Sequence, residues 1–512
     1  MASRCAPLGA VILLGLILRP AAAADGQLAL VVLDDKTRQP IACRMHLVGP
    51  GSKPRRIEQV PFWSDHFVFP GKITLKLPVG RYTFELERGP EYKNVTGNFK
   101  IDRSANDTKE ISLPRAVDMA AEGWWSGDLC VHRPLPDVKL LMAAEDLHVA
   151  GVISWWNDRS QVSPKALAAL AFPTVLFDGN RAYEPAGGGY GRSGTEVLCF
   201  HLRAPLLLPP DAGPEYPALV QQLMKVRRGA DPPAWIDLAA TTGRDLPLLA
   251  AHHQVDSIEI ANRYFCRRAM LADQAGEQPG DRQRYAGPLA YARWSQDIYF
   301  KLLECGLRIP PTAGSGSGVS PNPVGYNRVY VHLDGPFSEP EWWRQLRAGR
   351  VVVTNGPLLR PTVDGQLPGY VFQGEEGREL ELEIGLTLST ADAISYLDII
   401  QDGAVRQNIR FEDYAKSGRL PKLHVKKSGW FLLRAVSDVS QTYRFALSGP
   451  YYVEFGGQPR ISRKAAQFFL DWVYRLARQI SLDDPQEHRE VLELHRQARD
   501  FWQAVVARAN AE

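Results

Sequence analysis

The spacing of apolar residues along this chain changes from one stretch to the next, and that limits it to a multidomain arrangement. Between residues 25 and 116 the period is two. Ile73, Leu75 and Leu77 alternate with Thr74 and Lys76, and Tyr82, Phe84 and Leu86 follow beyond Pro78-Val79-Gly80. A period of two lines one face of a strand, and two such runs around a Pro/Gly turn predict a hairpin. Residues 25–116 are therefore expected to form a β-sandwich-like domain. Between 117 and 335, short apolar runs at 149–155 and 258–261 alternate with helical stretches at 138–144, 164–171 and 219–226. That alternation predicts βα units around a parallel sheet or barrel. Gly187-Gly188-Gly189 and Gly314-Ser315-Gly316-Ser317-Gly318 read as loops, and neither is followed by the lysine of a phosphate loop. Residues 336–458 return to strand patterns, with Val351-Val352-Val353, with Leu380, Leu382 and Ile384 alternating with glutamates, and with a run at 396–400 before a hairpin-type Asp402-Gly403 turn. In 459–512, Ala466, Phe469, Leu470, Val473, Leu476 and Ile480 mark one helix face. Asp484-Pro485-Gln486-Glu487 then predicts a second helix start, with Asp as N-cap. The expected class is multidomain α/β plus β, ending in a helical tail packed on the body.

The N-terminus carries an address. Arg4 precedes an apolar run at 8–18, and four alanines at 21–24 supply a cleavage site. This is the pattern of a secretory signal peptide at 1–24, so the expected location is extracytoplasmic, periplasmic or secreted. No later stretch is apolar for the ~18 residues a membrane helix needs, so no membrane span is expected after cleavage. The 512 residues hold 60 basic and 57 acidic side chains, a net charge of +3. Loss of Arg4 and Arg19 leaves +1, which gives no electrostatic footprint for nucleic acid. Cys43, Cys130, Cys199, Cys266 and Cys305 are scattered and odd in number, so they do not read as a disulfide framework. Asn94-Val95-Thr96 and Asn106-Asp107-Thr108 fit glycan acceptors where the host glycosylates. There is no Gly-x-Ser-x-Gly elbow to support a serine hydrolase.

The segment richest in chemistry is Gly127-Asp128-Leu129-Cys130-Val131-His132. Period-two spacing sets Asp128, Cys130 and His132 on one strand face, and all three side-chain types bind metals. The segment resembles the D-x-H-x-H opening motif of the PHP (polymerase and histidinol phosphatase) metallohydrolases, and most of all their CehA/McbA-like branch. Trp124-Trp125-Ser126 before it, Ala313-Gly314-Ser315 with residues 325–331, and Thr354-Asn355-Gly356-Pro357 with Val363-Asp364-Gly365 resemble other parts of that branch, over roughly 117–405. The resemblance implies a central PHP-like domain, a distorted β/α barrel over 117–335, flanked by β-sandwich-like domains at 25–116 and 336–458. It also implies a divalent metal and hydrolysis of a small ester, carbamate or phosphoester by a metal-bound water.

Carried over residue by residue, the resemblance makes His132 a metal ligand at the motif's second histidine. Cys130 stands at the first, where a thiolate favours zinc over manganese. Asp128 becomes an orienting group behind the ligands, and Asp137 matches the acidic residue that follows the motif. Elsewhere the chain departs from the pattern. Ser154-Trp155-Trp156-Asn157 stands where Thr-Asp-His is expected, and an indole N–H cannot ligate. Gly316-Ser317-Gly318 stands where Asp-x-His is expected. Three ligand positions are empty and one is altered, and these departures from the pattern motivate the alternative of a pseudoenzyme that holds no cofactor.

Other polar residues are candidate pocket groups: Glu145 and His148, then His252, then Asn262 at a strand end. For these, as for Asp245 and Glu259, the plainer reading is a surface or hydrogen-bonded residue. Trp124, Trp125, Trp155 and Trp156 are expected near one barrel mouth, either to stack on a sugar or to fill the core. Two functions compete: a metal-dependent hydrolase with a small-molecule substrate, and a non-catalytic binding or scaffold protein of the cell envelope, with carbohydrate as one ligand class. A third reading puts carbohydrate binding in the β domains.

Overall fold

The computed structural model describes residues 25–156, 174–192, 194–202, 205–206, 208, 215–228, 234–271, 285 and 287–512. The expected signal peptide, Asn157 and the helical stretch at 164–171 lie outside the described residues.

The N-terminal region is two sheets facing across one core. Asp25–Asp34 pairs antiparallel with Lys72–Pro78 and parallel with Asn106–Leu113. The other sheet runs in the order Phe62–Trp63, His66–Phe69, Cys43–Val48, Gly80–Glu87, Val95–Ile101. Leu30, Val32, Met45, Phe67, Leu75, Leu77, Tyr82 and Leu86 fill the space between. The expected hairpin at 73–86 is corrected here: its two runs belong to opposite sheets. Each run has one apolar face, and the Pro78-Val79-Gly80 turn sets those faces against each other across the sandwich rather than side by side in one sheet.

The central strands are labelled β1 (Trp124–Val131), β2 (Val149–Trp156), β3 (Arg181–Arg192), β4 (Thr195–Phe200), β5 (Trp235–Leu238), β6 (Ser257–Ala261) and β7 (Pro311–Ala313). They are neighbours in that order, and every junction is parallel except the two that β4 makes. The chain leaving β7 then returns to β1. Gly316 N–H donates to the Cys130 carbonyl at 2.9 Å and His132 N–H donates to the Ser317 carbonyl at 2.7 Å. The strands therefore close into a ring, with all but β4 pointing their C-terminal ends the same way.

Gly187-Gly188-Gly189 lies within β3, not in a loop. A Cβ on Gly188 would stand 1.8 Å from the Trp155 ring of the neighbouring strand. The glycine makes room for an indole, which local sequence cannot reveal.

From the other edge of β1 the sheet continues through Arg328–His332, Val351–Thr354, Phe445–Ser448, Gly429–Ser437, Ile394–Gln401 and Ala404–Arg410. Asp402-Gly403 forms the expected turn between the last two. The alternating run at 380–384 is split. Leu380–Leu382 pairs with Leu423–Val425, whereas Ile384–Ser389 pairs with Leu358–Val363. The break falls at Glu383, whose N–H is taken by the Asp364 carboxylate at 2.9 Å.

The tail helices Arg463–Arg478 and Pro485–Ala507 form as the apolar spacing predicts, and Asp484 caps the second by accepting from the N–H groups of Gln486 and Glu487. Phe469 stacks on Trp502 at 4.8 Å. Both belong to the same core as Trp155, Leu198 and Ile236 of the ring. The architecture is β-rich, multidomain α/β plus β. Among the described residues, no helix is long and apolar enough to cross a membrane. Cys43, Cys130, Cys199, Cys266 and Cys305 are all buried and unbridged.

Candidate functional site

A ring of mostly parallel strands gathers its loops at the strands' C-terminal ends, where such folds place their chemistry. Cys130 and His132 stand at the end of β1, Trp156 ends β2, Arg263 follows β6, and Gly314 to Gly318 follow β7. Glu196 joins them because β4 runs the opposite way and begins at this end.

Asp128 is fully buried, and its carboxylate accepts three backbone N–H bonds: from Cys130 at 3.0 Å, Ser315 at 2.9 Å and Gly325 at 2.7 Å. It ties β1 to the loop after β7, and burial raises its pKa. The Cys130 Sγ lies 3.3 Å from His132 Nε2. Burial, reinforced by the nearby Glu259 carboxyl, pushes the thiol well above its ordinary range, so it stays a thiol. The His132 ring lies flat on Trp156, centroids 4.9 Å apart at 17°. Burial, helped by Arg263, lowers its pKa to about 3 and keeps it neutral. Its Nδ1 is buried without a hydrogen-bond partner.

Glu259 lies beneath this pair, fully buried, with Oε1 unpartnered. Gly314 is what lets it in: a Cβ there would stand 2.0 Å from that oxygen and 2.3 Å from Cys130 Cβ. Burial and the acids around it raise the Glu259 pKa well above normal. Deeper still, Asp237 accepts from the hydroxyls of Ser257 and Thr312, and burial pushes its carboxyl from 3.8 up to about 7. Glu196 pairs with Arg263 at 2.6 Å.

The Asp237 shift has a consequence for stability. The folded chain holds this proton across the range from about pH 4 to 7, where the unfolded chain has released it. Stability is therefore expected to fall as pH rises through that window and to level off above it. Urea denaturation across pH 4.5–8 should show the slope, and Asp237→Asn should flatten it.

The remaining sequence candidates scatter. Asp137, in the first turn of helix Leu135–Ala144, is half-buried on a cleft rim and counters the charge of Arg133. Glu145 faces the N-terminal sandwich, where it pairs with Arg44. His148 precedes β2 at the far end of the ring, 3.0 Å from the Ser126 hydroxyl and edge-on to Trp125. His252 meets the Leu494 carbonyl of the tail at 3.0 Å. Asn262 does lie at the mouth's end of β6, where it donates to the Tyr291 hydroxyl and accepts from the Tyr264 N–H. Trp155 is buried, with its N–H on the Ala186 carbonyl at 3.0 Å.

The expectation of four indoles at one mouth is corrected: only Trp156 faces His132. Trp124 and Trp125 open β1, whereas His132 follows its end, roughly 25 Å away at ~3.3 Å per strand residue. The donor set at the mouth does not fit the hydrolytic metal centre that the PHP resemblance implies. Among the described residues, no third His, Cys, Asp or Glu brings a ligand atom within 4.8 Å of both the Cys130 sulfur and a His132 ring nitrogen. Trp156 also covers the imidazole face.

The mouth opens instead into a cleft of about 560 Å³, lined by Arg56, Phe62, Trp63, His132, Arg133 and Asp137 among others. Trp63 reaches across from the N-terminal sandwich and donates its N–H to the Ser320 carbonyl at 2.7 Å. The Arg133 guanidinium lies over the Trp63 ring at 5.2 Å, and that of Arg56 over Phe62 at 5.9 Å. Gly318 has φ +105°, and a Cβ there would stand 1.9 Å from the His132 carbonyl oxygen, so only glycine lets the loop pass. Arg133 adjoins the motif and was readable beside it. Trp63 and Arg56 were missed, because nothing local connects them to a motif some 70 residues later.

No protein-family model matches the chain, and no curated protein does. Among solved structures, the Bacillus anthracis TIE protein aligns at 18% identity over 22% of this chain and 20% of its own, with a TM-score of 0.15. A Bacteroides uniformis β-glucuronidase aligns at 10% identity over 84% of this chain and 59% of its own, TM-score 0.19. The apo structure of Bacteroides uniformis β-glucuronidase 3 aligns at 9% identity over 86% and 64%, TM-score 0.15. The chain thus spans less than two thirds of each of these proteins, and scores this low carry no inference about its fold or chemistry.

Proposed function

We propose that this chain is an exported protein of PHP-like, CehA/McbA-type fold whose ring mouth binds a small ligand rather than hydrolysing one with a metal. One observation carries the reading: His132 lies under Trp156 and, among the described residues, joins no three-residue ligand cluster, at the edge of a cleft that also holds two arginines and two further aromatic rings. The strand ring, with the opening motif at its C-terminal end, supports a distorted barrel of PHP type. Guanidinium groups beside aromatic faces suit a ligand with both a carboxylate and a flat or sugar-like face. An acidic monosaccharide combines the two.

The test is calorimetric titration of the tag-free mature chain with glucuronate, galacturonate and their neutral counterparts. Binding of the acidic sugars is expected, weakened about tenfold or more in Arg133→Ala and in Trp63→Ala. Metal-dependent turnover of an ester, carbamate or phosphoester that disappears in His132→Ala would overturn the reading in favour of a hydrolase. The 3.3 Å Cys130–His132 contact is the observation on that side.

A further inference from the structure

The N-terminal sandwich holds a second group of metal-ligating side chains, unrelated to the PHP motif. The register that pairs Cys43 with Phe69 and Met45 with Phe67 sets His46 opposite His66 on the neighbouring strand. Their rings are 5.3 Å apart, and both are buried. Asp65 occupies the tight turn before His66, next to Ser64 at φ +51°. That turn brings one carboxylate oxygen, Asp65 Oδ1, to 3.2 Å from His46 Nδ1 and 3.1 Å from His66 Nδ1. The ligand atoms of all three residues lie within 4.8 Å of one another.

We propose that His46, Asp65 and His66 form a divalent-metal site, with zinc as the best-matched ion. Around a tetrahedral zinc with Zn–N and Zn–O bonds near 2.0–2.2 Å, neighbouring ligand atoms stand roughly 3.3 Å apart, which the two His–Asp separations match. The surroundings support the placement. His46 is 5% exposed, and apart from the approach of Asp65 Oδ1 to Nδ1 its ring nitrogens have no hydrogen-bond partner. Its Nε2 points toward Glu87 Oε1 at 3.7 Å, beyond hydrogen-bond distance, which leaves Nδ1 as the nitrogen turned to Asp65. The other Asp65 oxygen is held by Arg268 at 2.6 Å, which turns Oδ1 toward the histidines. An alternative set, His46 with Glu85 and Glu87, is already committed: Arg267 pairs with both carboxylates and Arg44 with Glu87.

Two histidines and one carboxylate leave the fourth position to solvent, which the partly exposed Asp65 side chain admits. The metal would clamp the turn of the hairpin Phe62–Trp63 and His66–Phe69 to strand Cys43–Val48. That hairpin carries Trp63, so the ion would also steady one wall of the cleft, although the site does not depend on what the cleft binds.

The experiment uses the full mature chain, tag-free and stripped with chelator, then loaded with zinc or cobalt and desalted. About one zinc per chain is expected, with a tetrahedral cobalt absorption band. Both should be lost, or the affinity cut more than about tenfold, in Asp65→Ala and in His66→Gln, and both kept in the Cys130→Ser/His132→Gln double variant. Asp65 sits at a partly exposed turn, so its variant decides the matter should His66→Gln fail to fold by circular dichroism. No metal bound by the wild-type chain overturns the proposal. So does metal retained by Asp65→Ala, or metal lost only from the ring-mouth double variant.

Discussion

Arg44→Met is expected to lower the free energy of unfolding by about 3–5 kcal/mol. Arg44 is 3% exposed, and its two terminal nitrogens pair with Glu87 of the sandwich and Glu145 of the central region. Burial raises the Glu145 carboxyl even with this partner present. Burial also acts to raise Glu87, but Arg44 and Arg267 outweigh it and hold that carboxyl below its usual range. Without Arg44, Glu145 loses its ion-pair partner, and Glu87 keeps Arg267 but loses Arg44. The price is large because the desolvation of the acids remains while the attraction is gone. Protonation then relieves the variant, so its deficit should shrink as pH falls from 7 toward 5, the opposite of an intact ion pair. Urea denaturation of both proteins at the two pH values reads the effect.

Asp128→Ala is expected to have an effect at least as large, by a different route. It strands the N–H groups of Cys130, Ser315 and Gly325, each costing roughly 1–3 kcal/mol when buried and unpaired. Two of those donors lie in the loop after β7 that closes the ring on β1. The loss should therefore appear as faster amide exchange across 314–325, together with a lowered unfolding midpoint. Asp128→Asn keeps one acceptor oxygen and should fall between the two. Exchange left unchanged at 314–325 in Asp128→Ala would mean that the carboxylate does not hold the loop.

The role of Asp128 shows how far a motif can be read. That Cys130 and His132 adjoin is legible, because residues two apart on a strand share a face. Asp128, which the PHP resemblance casts as an orienting group, does orient something, namely the loop that closes the ring. Its partners Ser315 and Gly325 lie 187 and 197 residues further on, and no local pattern names them. Trp156, which stands where that resemblance expects a metal ligand, proved to stack on the motif's histidine. That required knowing that β2 lies beside β1 and ends at the same height.

Local sequence determined what depends on near neighbours along the chain. Strands at 149–156 and 258–261, helices at 219–228 and 463–478, the Asp484 cap and the Asp402-Gly403 turn all follow from periodicity or from a side chain bonding its own backbone. Only the tertiary structure decided which strands pair, since an apolar face is satisfied by any partner that covers it. That is why 73–77 and 82–86 face each other across a sandwich instead of forming a hairpin, and why three glycines became a strand beneath Trp155. The same holds for the sites. The Cys130–His132 contact was written within three residues, whereas the Trp63 wall of the cleft and the His46–Asp65–His66 cluster exist because separate strands were brought into register.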